Sequence, residues 1–147
     1  MADAWLCRLP RHIVRRVCLI ADGEPNRETE YLNQTVYVMR THYISIDSIF
    51  CGTSDTGAAV LRNISAATVG GHFHSATSFQ ALTDLVTSAA GRIHRRQGAT
   101  VILVDCSSSM NETLPSGGCT RISAAIKACQ SVAMVKRVAF NRVSANT

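Results

Sequence analysis

The stretch Ala99-Thr100-Val101-Ile102-Leu103-Val104-Asp105-Cys106-Ser107-Ser108-Ser109-Met110 decides how the chain is read. Thr100 to Val104 is a continuous apolar run rich in β-branched residues, the pattern of a strand buried on both faces. It stops at Asp105, and Ser107 and Ser109 follow at two-residue spacing. A carboxylate and two hydroxyls just past a buried strand suit a hard divalent cation such as Mg²⁺, which prefers oxygen ligands. The same residue types also form turns and helix N-caps, and the stretch taken alone favours that plainer reading.

Around it the chain alternates strands with helices. Ile13 to Ala21 predicts a strand that runs into a turn at Asp22-Gly23-Glu24-Pro25. Leu32, Val36 and Met39 recur at helical spacing, predicting an amphipathic helix over 27–41. Tyr43 to Phe50 reads as a second strand, followed by the loop Cys51-Gly52-Thr53-Ser54-Asp55. A helix capped by Asp55 or Thr56 runs to about Thr68, and Gly70-Gly71 ends it. His72-Phe73-His74 is a short strand that puts both imidazoles on one face, and with no third ligand in sight they read as structural or surface residues. Phe79, Leu82, Leu85, Val86, Ala89 and Ile93 form the apolar stripe of a helix over 78–95. After the central stretch come a polar loop to Cys119, a helix from Thr120 to about Val132, and a last strand over Arg137 to Asn141.

This alternation predicts an α/β fold with a mostly parallel central sheet and helices on both faces, Rossmann-like. Ligands bind such sheets at the carboxyl ends of the strands. Asp22, Thr53-Ser54-Asp55 and Asp105-Ser107-Ser109 all follow strands and so share that edge. Two aspartates facing one crevice repel each other, and a cation between them relieves the repulsion.

At 147 residues the chain fits one domain with a sizeable core. No apolar run approaches the roughly 20 residues of a membrane span. Asp3, Arg8, Pro10 and Arg11 interrupt any signal-peptide pattern, so the expectation is a cytoplasmic protein without membrane contact. The six cysteines form no Cys-x-x-Cys pair and read as buried reduced thiols. Sequons at Asn33, Asn63 and Asn111 read as chance matches. The net charge of +5 gathers at Arg8, Arg11, Arg15 and Arg16 and at Arg92, Arg95 and Arg96. No aromatics interleave these arginines, so nucleic-acid binding is not expected and they read as solvated linker and helix-end charge.

The motif Asp105-x-Ser107-x-Ser109 after a Val-Ile-Leu-Val strand resembles the metal-ion-dependent adhesion site (MIDAS) of von Willebrand factor type A (VWA) domains. The Asp22-Gly23 turn resembles that family's second, Asp-Gly motif, but here it precedes the serine motif instead of following it. Residues 13–93 resemble the family's second half and 99–141 its first half. The order implies either a circular permutation, giving one VWA-like domain over 1–147, or a fragment spanning two tandem domains. The resemblance implies a non-enzymatic protein-binding module. Its Mg²⁺ (or Mn²⁺ or Ca²⁺) would be held by Asp105, Ser107, Ser109 and Asp22, and would capture an acidic side chain of a protein partner. The family's metal-binding threonine has no match; Thr113, Thr120 and Thr147 lie in other contexts.

The alternative is a metal-free assembly domain that homodimerises, or binds a partner, through an open sheet edge at Val138-Ala139-Phe140. An enzyme is not expected. The chain has no Gly-rich phosphate loop, nucleophile elbow or Cys-x5-Arg cradle, and Cys106-Ser107 lacks the second aspartate of phosphoaspartyl enzymes.

Overall fold

A computed structural model describes residues 2–23, 29–91 and 98–144. Its centre is β1 (Val14–Ala21), whose run is apolar toward both faces. Val17 and Ala21 pack into one core cluster, Cys18 and Ile20 into the other. β1 also has a strand on each edge, which places it inside the sheet. It pairs in parallel with β2 (Ile44–Phe50) through Val17↔Ile46 and with β4 (Gly98–Val104) through Val17↔Val101. β3 (Phe73–Ser75) joins the far side of β2, giving one four-stranded parallel sheet in the order β3-β2-β1-β4.

Helices cover both faces. On one lie α1 (Ala2–Cys7), α2 (Thr29–Thr41) and α3 (Asp55–Ala66). Their Leu6, Met39, Leu61 and Ile64 meet Val17, Ile44, Ile46 and Phe50. On the other lie α4 (Phe79–Gly91) and α5 (Arg121–Ser144). Leu82, Val86, Ala124, Ala125 and Ala128 there meet Cys18, Ile20 and Ile49. The protein is an α/β fold with a Rossmann-like parallel sheet. Among the described residues no helix is long and apolar enough to cross a membrane.

Several expectations change. Arg137 to Asn141 is not a strand: α5 runs on through it to Ser144. From Arg121 onward the sequence offers no Gly or Pro to stop the helix, and helix formers dominate. The open edge expected at Val138-Ala139-Phe140 therefore does not exist, and among the described residues β4 is the edge strand instead. For the same reason β4 is not fully buried: its residues are half-covered, and Leu103 is 37% exposed.

Arg15 and Arg16 are not solvated linker charge but lie within β1, where Arg15 is 7% exposed. The cap of α3 is Ser54, whose hydroxyl accepts from Gly57 N–H. All six cysteines are free, but only Cys18 and Cys51 are buried, while Cys106 is exposed. Glu24, Pro25 and the arginines at 92, 95 and 96 lie outside the described residues.

Candidate functional site

The carboxyl end of β4 continues the ladder for one more step, as Asp105 N–H donates to Ile20 O at 2.9 Å. That bond sets Asp105 beside the end of β1, where Ala21 leads into Asp22. The Asp22-Gly23 turn is itself fixed from behind by α3. Gly23 has φ +80°, and a Cβ on it would lie 2.2 Å from the Gly57 carbonyl oxygen. Conversely, a Cβ on Gly57 would lie 2.4 Å from the Asp22 oxygen. Two glycines are what let the turn and the helix approach so closely.

After Asp105 the chain folds back on the carboxylate. Oδ1 accepts from Ser107 N–H at 2.8 Å, and Oδ2 accepts from the Ser107 hydroxyl at 3.1 Å. The Ser107 and Ser109 hydroxyl oxygens lie 2.9 Å apart. With Ser107 giving its proton to Asp105, Ser109 gives its own to Ser107, so three oxygen groups form one directed chain.

The Asp105 carboxylate accepting from the N–H two residues on is the Asx turn of the plainer reading, and the serine hydroxyls extend it into a cluster. Ser107 stands at the N-cap position of the 3₁₀ turn Ser108–Asn111 but makes no side-chain cap bond there. Its hydroxyl turns instead to Asp105 and Ser109. The structure thus brings Asp105, Ser107 and Ser109 together, and the strand pairing places Asp22 beside them at the same edge.

Asp22 is 2% exposed and receives Arg121 from the start of α5, Nη1 to Oδ2 at 3.3 Å. The same Nη1 donates to the Ser109 carbonyl at 3.1 Å, and Nη2 pairs with Glu112 at 2.9 Å. Asp22, Gly52, Thr53, Ser54, Ser109, Glu112 and Arg121 line a small polar recess. Thr53 and Ser54 were expected at this edge; Asp55 goes instead into the first turn of α3.

Beneath the recess Cys51 has its thiol pushed up to about 12, mainly by burial. Arg121 draws it down, while Asp22 and Asp105 both raise it. One thiol therefore feels both carboxylates and the guanidinium.

Arg121 and Glu112 escaped the sequence reading. Neither motif nor spacing marks them, since Arg121 looks like any charge at a helix end and meets Asp22 only through the fold. Of the candidate threonines, Thr113 and Thr120 form a β-bridge with each other. The Thr120 hydroxyl caps Ser123 N–H at 3.3 Å. Thr147 lies outside the described residues.

The imidazoles of His72 and His74 do share a face, with ring centroids 6.3 Å apart. His72 is bound by Asp47, which is also paired with Arg16. Among the described residues no group of three or more His, Cys, Asp or Glu side chains is placed to hold a metal. Any cation at the strand ends therefore depends on the serine hydroxyls as well as the two aspartates. Comparison of the chain with family models, with curated proteins and with solved structures gives no match.

Proposed function

We propose that the chain is a non-enzymatic protein-binding module that holds a divalent cation at the carboxyl edge of its sheet. The cation, Mg²⁺ or else Mn²⁺ or Ca²⁺, captures an acidic side chain of a protein partner. The observation that carries this reading is the oxygen chain Asp105–Ser107–Ser109, with its hydroxyls 2.9 Å apart. Adjacent ligands on an octahedral Mg²⁺ with bonds of about 2.1 Å stand about 3 Å apart, a spacing the two hydroxyls share.

Asp105, Ser107 and Ser109 would hold the cation from β4, and Asp22 would face it from β1. When bound, the cation supplies a Lewis-acidic position for a carboxylate oxygen. The resemblance to VWA domains supports the same reading. A permuted single domain would place its Asp-Gly strand beside its serine-motif strand, as β1 lies beside β4.

Calorimetric titration with Mn²⁺ tests it. Wild type should bind weakly, for want of the family's threonine, and Asp105→Ala should lose at least tenfold in affinity. Unchanged affinity in Asp105→Ala would remove the assignment.

A second reading, a metal-free module that homodimerises, has its own observation. Among the described residues no strand pairs with the outer edge of β4, although the strand is apolar toward both faces. Such an edge is a template for another strand. Two copies meeting there would pair antiparallel about a two-fold axis.

A further inference from the structure

A buried guanidinium stands where the metal reading asks only for oxygen atoms. Arg121 is 4% exposed and comes from the first residue of α5. Its bond to Asp22, at 3.3 Å, is long for a charge-assisted pair, which closes to about 2.8 Å when well fitted. Its Nε is buried and finds no partner among the described residues. Its firmest bond, at 2.9 Å, goes to Glu112, whose side chain is 65% exposed. The guanidinium thus spans a buried carboxylate at a long distance and an exposed carboxylate at a shorter one.

Asp22 is the ligand offered by the neighbouring strand, and Arg121 neutralises it. A divalent cation drawing on Asp22 would sit within a few ångströms of a like charge, and both Asp22 and Arg121 are buried, where repulsion is screened less than in bulk water. Either the cation binds poorly or the guanidinium gives way toward Glu112.

We propose that Arg121 is a tethered counter-ion that competes with the divalent cation for Asp22. Without metal the guanidinium holds the Asp22 turn against the Ser109 loop. With metal it retires to Glu112, and the site's affinity is set by that exchange. The proposal rests on the metal reading above and adds the residue that regulates it. It also runs against the usual effect of removing a buried, bonded side chain: here the deletion strengthens binding.

The test is titration with Mn²⁺ alone of wild type, Arg121→Gln and Arg121→Lys, with thermal unfolding of each in the presence and absence of Mn²⁺. Arg121→Gln should bind at least tenfold more tightly, melt below wild type without metal, and regain the difference with it. Arg121→Lys keeps the charge and should bind no more tightly than wild type, which a purely steric role would not require. If wild type binds Mn²⁺ and Arg121→Gln binds no better, the proposal falls and the metal reading stands. If all three proteins fold and none binds, the metal reading itself falls and takes the proposal with it. Should Arg121→Gln fail to fold, Glu112→Gln decides. Deprived of its rim partner the guanidinium stays on Asp22, and Mn²⁺ affinity should drop at least threefold; an unchanged affinity overturns the proposal.

Discussion

Asp47 grips His72 at two points: Oδ1 accepts the backbone N–H at 3.0 Å and lies 3.2 Å from ring Nδ1. The carboxylate is 1% exposed, and its other oxygen takes Arg16. A buried aspartate in mid-strand is tolerated because each of its oxygens has a partner.

Asp47→Ala should therefore cost about 3–5 kcal/mol, since it strands a largely buried Arg16 and frees the turn before β3. Urea unfolding measures it. A loss below about 1 kcal/mol would mean that water or another group takes over the guanidinium.

Burial raises the thiols of Cys18 and Cys51 from 9.0 to about 12. In the unfolded chain they ionise near 9, whereas the folded protein keeps them protonated. Their contribution to stability is whole below pH 9 and is lost as pH rises toward 12. Each thiol steepens that fall by about 1.4 kcal/mol per pH unit. Denaturant unfolding between pH 8 and 10.5 should show a shallower slope for Cys18→Ala than for wild type; parallel slopes would refute the assignment.

Gly57→Ala places a Cβ against the Asp22 carbonyl oxygen, which belongs to backbone and has little room to yield. The expected loss is about 1–3 kcal/mol, with weaker Mn²⁺ binding because the Asp22 turn is pushed away. Ser78→Ala, which removes a cap at the start of α4 away from the recess, should cost about 1 kcal/mol and leave Mn²⁺ binding intact. Equal effects on binding would mean that the turn is not held by this approach.

Leu103→Lys introduces a charge at a position 37% exposed on the edge strand. Stability should change by no more than about 0.5 kcal/mol, while any dimer built on β4 should dissociate. Size exclusion with light scattering reads the outcome. A dimer that survives the substitution uses another surface.

Most of the architecture was legible because its signals are local. The apolar run of β1, the stripe of α4 and the strand-ending aspartates each show their periodicity within a few residues. Two misreadings trace to information that lies elsewhere in the fold. A short apolar segment such as Val138-Ala139-Phe140 fits strand and helix alike, and only the unbroken run of helix formers before it decides. Whether Thr100 to Val104 is central or marginal depends on which strands flank it, which no window of sequence contains.

At the site, the Asp105–Ser107–Ser109 cluster was legible as a motif. The pairing of Asp22 with Arg121 was not, since those residues are 99 apart in sequence. Arg16 looked solvated because a charge in a strand gives no sign of the buried carboxylate, here Asp47, that receives it.

The position of β1 beside β4 also governs how the protein is made. During synthesis β1 can dock on β2 as soon as α2 and β2 have emerged, but its other flank must wait until α3, β3 and α4 have been translated. Throughout that interval a strand suited to the middle of a sheet has one open side, and such exposed backbone captures neighbouring nascent chains. Because this late, distant pairing also carries Asp105 to Asp22, the two strand-end aspartates meet only in the step that closes the vulnerable flank.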